Sequence, residues 1–276
     1  MQVPFPELTR LELYMLESVL PDSFLGGSAR RLRFLHLGRI PFPGLPKLLS
    51  SATHIIDLSL DRIPYSGYIS PEVMVAALST LTRLQSLTLK FQIPQPLPDP
   101  TTRCPPSSAR SFLPVPTRFF FKRDDEYLKD IVSRIDVPQM RRFSIGFFYR
   151  FEDTPRSIPS ISHIPMFETI QTACLFFAGQ DAAVELYSQS GALAVDVDIP
   201  CDDLDGQLSS MGQAFALCLL SLSALEDLYI SEREDLHLDW PFYIENTLWL
   251  GLLRPFTSVK NLHLSGQVTP SMVPAP

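Results

Sequence analysis

The chain reads as an α/β array of successive strand–helix units, with a curved parallel sheet inside and helices outside. Three observations predict this: a recurring hydrophobic triplet, helix-start signals between its copies, and intervals long enough to hold a helix. The triplet is a hydrophobic residue, two variable positions, a second hydrophobic residue, one variable position and a third. Leu8-Leu11-Leu13 opens the series, followed by Leu32-Leu35-Leu37, Ile55-Leu58-Leu60 and Leu84-Leu87-Leu89. Met140-Phe143-Ile145, Leu225-Leu228-Ile230 and Val259-Leu262-Leu264 continue it. Pro116-Phe119-Phe121 and Ile170-Ala173-Leu175 are weaker copies, and Val195-Val197-Ile199 is a bare strand in the remaining long gap.

The third hydrophobic position falls at 13, 37, 60, 89, 121, 145, 175, 197, 230 and 264, so intervals run from 22 (175 to 197) to 34 (230 to 264). These are longer and less even than the ~20–29 residues of typical leucine-rich repeats, which makes a leucine-rich-repeat-like solenoid with room for full helices. Ser70-Pro71-Glu72 supplies a cap, a first-turn proline and a first-turn acid ahead of a helix over 73–81. Asp124 and Asp125 precede Tyr127, Leu128, Ile131, Val132 and Ile135, which share one helical face. Asp205-Gly206 leads into a helix over 208–222, and Pro241 into a segment ending at Leu253. The array spans 1–266, and 267–276 is a Pro-rich coil.

Residues 93–116 break the pattern with prolines at 94, 96, 98, 100, 105, 106, 114 and 116. Proline fixes φ and lacks a backbone donor, so this is neither helix nor inner strand. It contains no P-x-x-P, and reads as a solvated loop on the rim of the array rather than a polyproline ligand.

Composition narrows the function classes. The 276 residues are 45% hydrophobic and 19% charged with a net charge of −7, a balance that argues against a nucleic-acid binder. No stretch reaches the ~18–20 apolar residues of a membrane span. Cys104, Cys174, Cys201 and Cys218 form no C-x-x-C pair, and with no secretory leader and no N-x-S/T sequon they read as reduced thiols of a cytoplasmic or nuclear protein. Metalloprotease, nucleophile-elbow, phosphate-loop and dinucleotide motifs are all absent. The five histidines (36, 54, 163, 237, 263) show no metal-ligand spacing, and Asp196/Asp198 and Asp202/Asp203 read as solvated carboxylates. No enzyme activity, cofactor or metal is expected.

Alternation points the residues between the triplet's hydrophobic positions out of the sheet. The middle units then expose Lys90, Arg118, Lys122 and Arg142, and the later ones Asp196, Asp198 and Asp227. Tyr14, Phe34, Phe120, Phe176 and Tyr229 are outward aromatics. Lys90, Arg118, Phe120, Lys122 and Arg142 together make the candidate partner-binding patch, four cations around one ring, suited to an acidic or phosphorylated segment.

The words between the repeats are distinctive: Phe5-Pro-Glu-Leu-Thr-Arg-Leu-Glu-Leu13, Leu20-Pro-Asp-Ser-Phe-Leu-Gly-Gly-Ser-Ala29 and Ile40-Pro-Phe-Pro-Gly-Leu-Pro-Lys-Leu-Leu49. Ser66-Gly-Tyr-Ile-Ser-Pro-Glu72, Leu81-Thr-Arg-Leu-Gln-Ser-Leu87 and Leu252-Leu-Arg-Pro-Phe-Thr-Ser-Val-Lys-Asn-Leu262 continue them over most of the chain. Together they resemble a large family of basidiomycete fungal F-box proteins. The resemblance implies the substrate-selecting repeat region of an F-box subunit, whose F-box docks on the adaptor of a cullin-based ubiquitin ligase. The F-box helices are missing from this sequence, so a fragment or truncated gene product is expected, with no adaptor binding of its own. The other readings are an intracellular scaffold, sensor or inhibitor unrelated to ubiquitin, and a truncated gene copy without function.

Overall fold

The computed structural model describes residues 5–14, 19–92, 111–113, 116–122, 125–146, 165–178, 181–201, 204–218, 224–232 and 246–266. Most of the Pro-rich stretch 93–116 and all of 267–276 lie outside them, as do Asp202, Asp203, His163 and His237. The chain divides into two compact units, Met1–Met140 and Arg141–Pro276. Both are mixed α/β, with mostly parallel sheets and helices.

The first unit contains strands β1 (Arg10–Tyr14), β2 (Phe34–Gly38), β3 (Asp57–Ile63), β4 (Ser86–Phe91), β5 (Ser111–Phe112), β6 (Arg118–Lys122) and β7 (Ile135–Asp136). Helices α1 (Leu45–Ser51), α2 (Pro71–Ser79) and α3 (Asp125–Arg134) follow β2, β3 and β6. Its main sheet runs β1-β2-β3-β4-β6, every pair parallel. The strands holding Leu37 and Leu60 pair in parallel, as the strand–helix–strand recurrence predicts. Leu35, Leu58, Leu87 and Phe119 lie side by side in one register row, and Leu37, Leu60, Leu89 and Phe121 in the next. These rows are the core, and burial of successive aliphatic and aromatic side chains is its main stabilising term.

The helices start where their chemistry directs. The Ser70 hydroxyl accepts a 3.4 Å bond from the Val73 amide, and Pro71 occupies the first turn of α2. α3 buries Tyr127, Leu128, Ile131 and Val132, and the Tyr127 hydroxyl donates to the Ile69 carbonyl at 2.8 Å. Arg134, at the end of α3, reaches Glu72 of α2 at 2.7 Å. β5 and β7 form a separate two-stranded parallel sheet, so Ser111 and Phe112, within the Pro-rich stretch, are strand after all. This pair stands outside the main sheet, and Leu113 beyond it is buried.

The second unit holds β8 (Arg142–Gly146), β9 (Ile170–Phe177), β10 (Asp181–Ser188), β11 (Leu193–Pro200), β12 (Asp227–Glu232) and β13 (Asn261–Leu264). α4 (Leu204–Cys218) precedes β12, and α5 (Asn246–Leu253) precedes β13. The order is β8-β11-β10-β9-β12-β13. β10 is antiparallel to both neighbours and the other pairs are parallel. The expected succession of parallel strands therefore fails between β8 and β12. The cause is connection length: 178–180 and 189–192 are far too short for a parallel crossover, which needs roughly a dozen residues. The second turn places Gly191 at φ +75°, a left-handed conformation that side-chain-bearing residues adopt only with strain. α4 and α5 approach closely at Gly212, where a Cβ would lie 3.3 Å from the Gly251 carbonyl. Gln207 of α4 donates its amide to the Ala178 carbonyl at 2.6 Å and the Cys201 carbonyl at 3.3 Å.

The central triplet residues Leu35, Leu58, Leu87, Phe143 and Leu228 are all between 0 and 3% exposed, which confirms the register. Leu262 departs from it. Its register partner Leu228 is 1% exposed, but Leu262 itself is 48% exposed on the outermost strand of its sheet.

Candidate functional site

The sheet face opposite the leucine rows carries the candidate residues of the first unit. Alternation fixes its rows: Phe34, Asp57, Ser86 and Arg118 in one, His36, Ser59, Thr88 and Phe120 in the next. Lys90 and Lys122 are direct register partners at the strand ends. The Lys90 ammonium sits 4.5 Å over the Phe120 ring, within cation–π range, and 3.6 Å from an Asp61 carboxylate oxygen. Arg118 is exposed at the other end of β6 and makes no ion pair among the described residues. Lys90, Phe120 and Lys122 are thus brought together, with Arg118 two positions along the same strand face.

Arg142 stands exposed at the start of β8 in the second unit. On that unit the outward row is Ser144, Asp196, Glu185, Cys174, Tyr229 and His263. Glu185 and Asp196 face each other across antiparallel strands, a like-charge pairing that is destabilising by itself. Two hydroxyls moderate it: Tyr187 donates to Glu185 at 2.5 Å, and Ser144 to Asp196 at 3.1 Å. The bond to Glu185 holds the Tyr187 phenol above its usual range, with burial adding to it. Burial, then the Glu185 carboxylate, push the Cys174 thiol up to about 11. The row ends in a stack of Tyr229 on His263, with ring centres 4.2 Å apart and planes 8° from parallel.

Among the other predicted outward aromatics, Tyr14 and Phe34 are exposed, and Phe176 is half-buried. Arg10 lies 5.4 Å over the Phe34 ring, and Tyr14 meets His36 edge-on at 6.5 Å. Sequence reasoning missed Glu185 and Tyr187 because β10 carries no triplet. It also did not pair Asp61 with Lys90. Asp61 follows Leu60 as Lys90 follows Leu89, which sets the two side by side, and the register shift comes after them, where Arg62 adopts φ +51°.

A cavity of about 10 Å³ behind the first unit's sheet, lined by Leu37, Phe42, Leu60, Phe91 and Tyr127 among others, holds at most one water. No helix among the described residues is long and apolar enough to cross a membrane. No protein-family model, curated protein or solved structure matches the chain.

Proposed function

We propose that this chain is a non-enzymatic protein-recognition module on a leucine-rich-repeat-like array, used like the substrate-selecting region of an F-box subunit of a cullin-based ubiquitin ligase. The observation that supports it is the juxtaposition on β4 and β6, where Lys90, Phe120 and Lys122 meet on an open face that Arg118 extends. Rigid strands hold these groups at fixed spacing, which lowers the ordering cost of binding. An acidic or phosphorylated segment suits them, because arginine pairs with carboxylate and phosphate through two parallel bonds. Lys90 is already shared between Asp61 and Phe120, so Arg118, exposed and without an ion pair among the described residues, is the stronger contributor.

Fluorescence anisotropy with acidic and phosphoserine peptides tests the reading. Arg118→Glu with Lys122→Glu should weaken binding about a hundredfold, from two charge contacts of roughly 1–2 kcal/mol each. Unchanged affinity in a folded double variant would remove this face from consideration. Arg142→Glu, on the second unit, shows whether that residue belongs to the same surface. The ligase role is tested separately, by adaptor binding to a gene product extended upstream through the expected F-box.

A further inference from the structure

β1 ends the first unit's sheet and β13 the second's, and no strand among the described residues pairs with the outer edge of either. On β13, the Asn261 amide bonds the Glu226 carbonyl and the Ser265 amide bonds the Ile230 carbonyl. Parallel alternation then turns the N–H and C=O groups of Leu262 and Leu264 away from β12. On β1, the Thr9 carbonyl accepts from Phe34, so Arg10, Glu12 and Tyr14 turn theirs away from β2. The same strands break the burial pattern. Leu262 is 48% exposed, and Leu11 and Leu13 are only half-buried, where their register partners Leu35 and Leu37 are buried.

We propose that copies of this chain associate head to tail, β13 of one pairing in parallel with β1 of the next. Three features agree on one register, Asn261 opposite Arg10 through Leu264 opposite Leu13. It continues the leucine rows, setting Leu262 beside Leu11 and Leu264 beside Leu13. It satisfies the free edges, since the Leu262 carbonyl then receives the Glu12 amide and the Leu262 amide meets the Arg10 carbonyl. It places the exposed His263 ring opposite the Glu12 carboxylate, which also holds the Arg10 guanidinium at 2.5 Å, so the ring meets an existing ion pair as a further polar neighbour. Self-pairing of β1 centred on Glu12 would instead face two carboxylates, which is unfavourable. With strands of four and five residues the contact is small, and its affinity is micromolar or weaker. A heterologous contact of this kind propagates rather than pairing off, so growth continues past the dimer.

Sedimentation velocity of the full chain over rising concentration tests this. The wild type should grow steadily through dimer and larger species. Leu262→Lys blocks the β13 edge and Glu12→Lys blocks the β1 edge, and both alter side chains that already face solvent at least in part. Each alone should be monomeric at concentrations where the wild type associates, a loss of about tenfold or more in affinity. Mixing the two variants should restore a species that stops at the dimer, because one intact β13 edge meets one intact β1 edge. Circular dichroism confirms that each variant is folded, and Glu12→Pro, which removes the edge amide, replaces Glu12→Lys if that variant is not. A wild type monomeric throughout, association that survives Leu262→Lys, or failure of the folded variants to complement would each overturn the proposal.

Discussion

The two units use the same hydrophobic triplet and reach different topologies. In the first, a helix follows β2, β3 and β6, and the main sheet is parallel in chain order. In the second, β9, β10 and β11 are joined by two short turns, and β10 reverses direction. A triplet tells which side chains enter the core, whereas the length of the following connection decides strand direction and order. The units also tie their layers differently. The first joins α2 to α3 with an ion pair, Glu72 and Arg134, and the second uses the neutral Gln207 amide on two carbonyls.

The comparison is most sharply tested in the cores. Phe143→Ala in the second unit should cost about 3–5 kcal/mol and Leu58→Ala in the first about 2–5 kcal/mol, through lost burial and a residual cavity. Urea denaturation measures both, and a loss below about 1 kcal/mol at either would show that the triplets do not play the same part in the two units. Next come the ties. Glu72→Ala leaves the Arg134 guanidinium, whose Nε already lacks an acceptor, buried without its partner. The expected loss is about 1–3 kcal/mol, moderated because Glu72 is itself partly exposed. Gln207→Leu should cost less, about 1 kcal/mol, since only neutral bonds are lost. A larger loss for Gln207 than for Glu72 would invert the ranking.

The reversing turn gives a smaller effect. Gly191→Val places a β-branched residue at φ +75° and should destabilise by about 1–2 kcal/mol, seen in the same denaturation curves. The smallest effect is electrostatic. The folded Cys174 thiol keeps its proton up to about 11, against an ordinary value of 9.0. Its stabilising contribution is therefore complete below about 9 and lost as pH rises through about 11. Maleimide labelling of Cys174 should be slow at neutral pH, and Glu185→Gln should speed it while easing ionisation of Tyr187 in an ultraviolet titration. No change in either would mean that Glu185 does not set the potential along that row.

Much of the fold was legible because burial in a strand has a period of two and helices announce their starts. The five central residues and α2 to α5 followed from those signals, with ends displaced by a few residues. β10 was not legible: Ala182, Val184 and Leu186 alternate without the triplet, and the interval from 175 to 197 looked like another strand–helix repeat. α1 escaped because seven residues beginning Leu45-Pro46 offer too little periodicity. The exposure of Leu262 was hidden too, since a triplet does not say which strand is outermost. Within the site, the meeting of Lys90, Phe120 and Lys122 followed from register alone. The Asp61 contact extends the same register one residue past Leu60 and Leu89, whereas the backbone irregularity that follows it at Arg62 has no distinctive residue type to announce it.

That irregularity sets where the chain can be shortened. Deleting a residue inside a strand turns every later side chain to the opposite face, so ladders such as β2 and β4 have no tolerance for it. In β3, however, Asp61 and Arg62 together span what Lys90 alone spans in β4, and Ile63 resumes pairing opposite Phe91. Removing Arg62 would delete the residue at positive φ, leave Asp61 opposite Lys90 and keep Ile63 opposite Phe91. Natural length variation in this strand therefore has one place to occur without disturbing the core, and that place adjoins the candidate binding face.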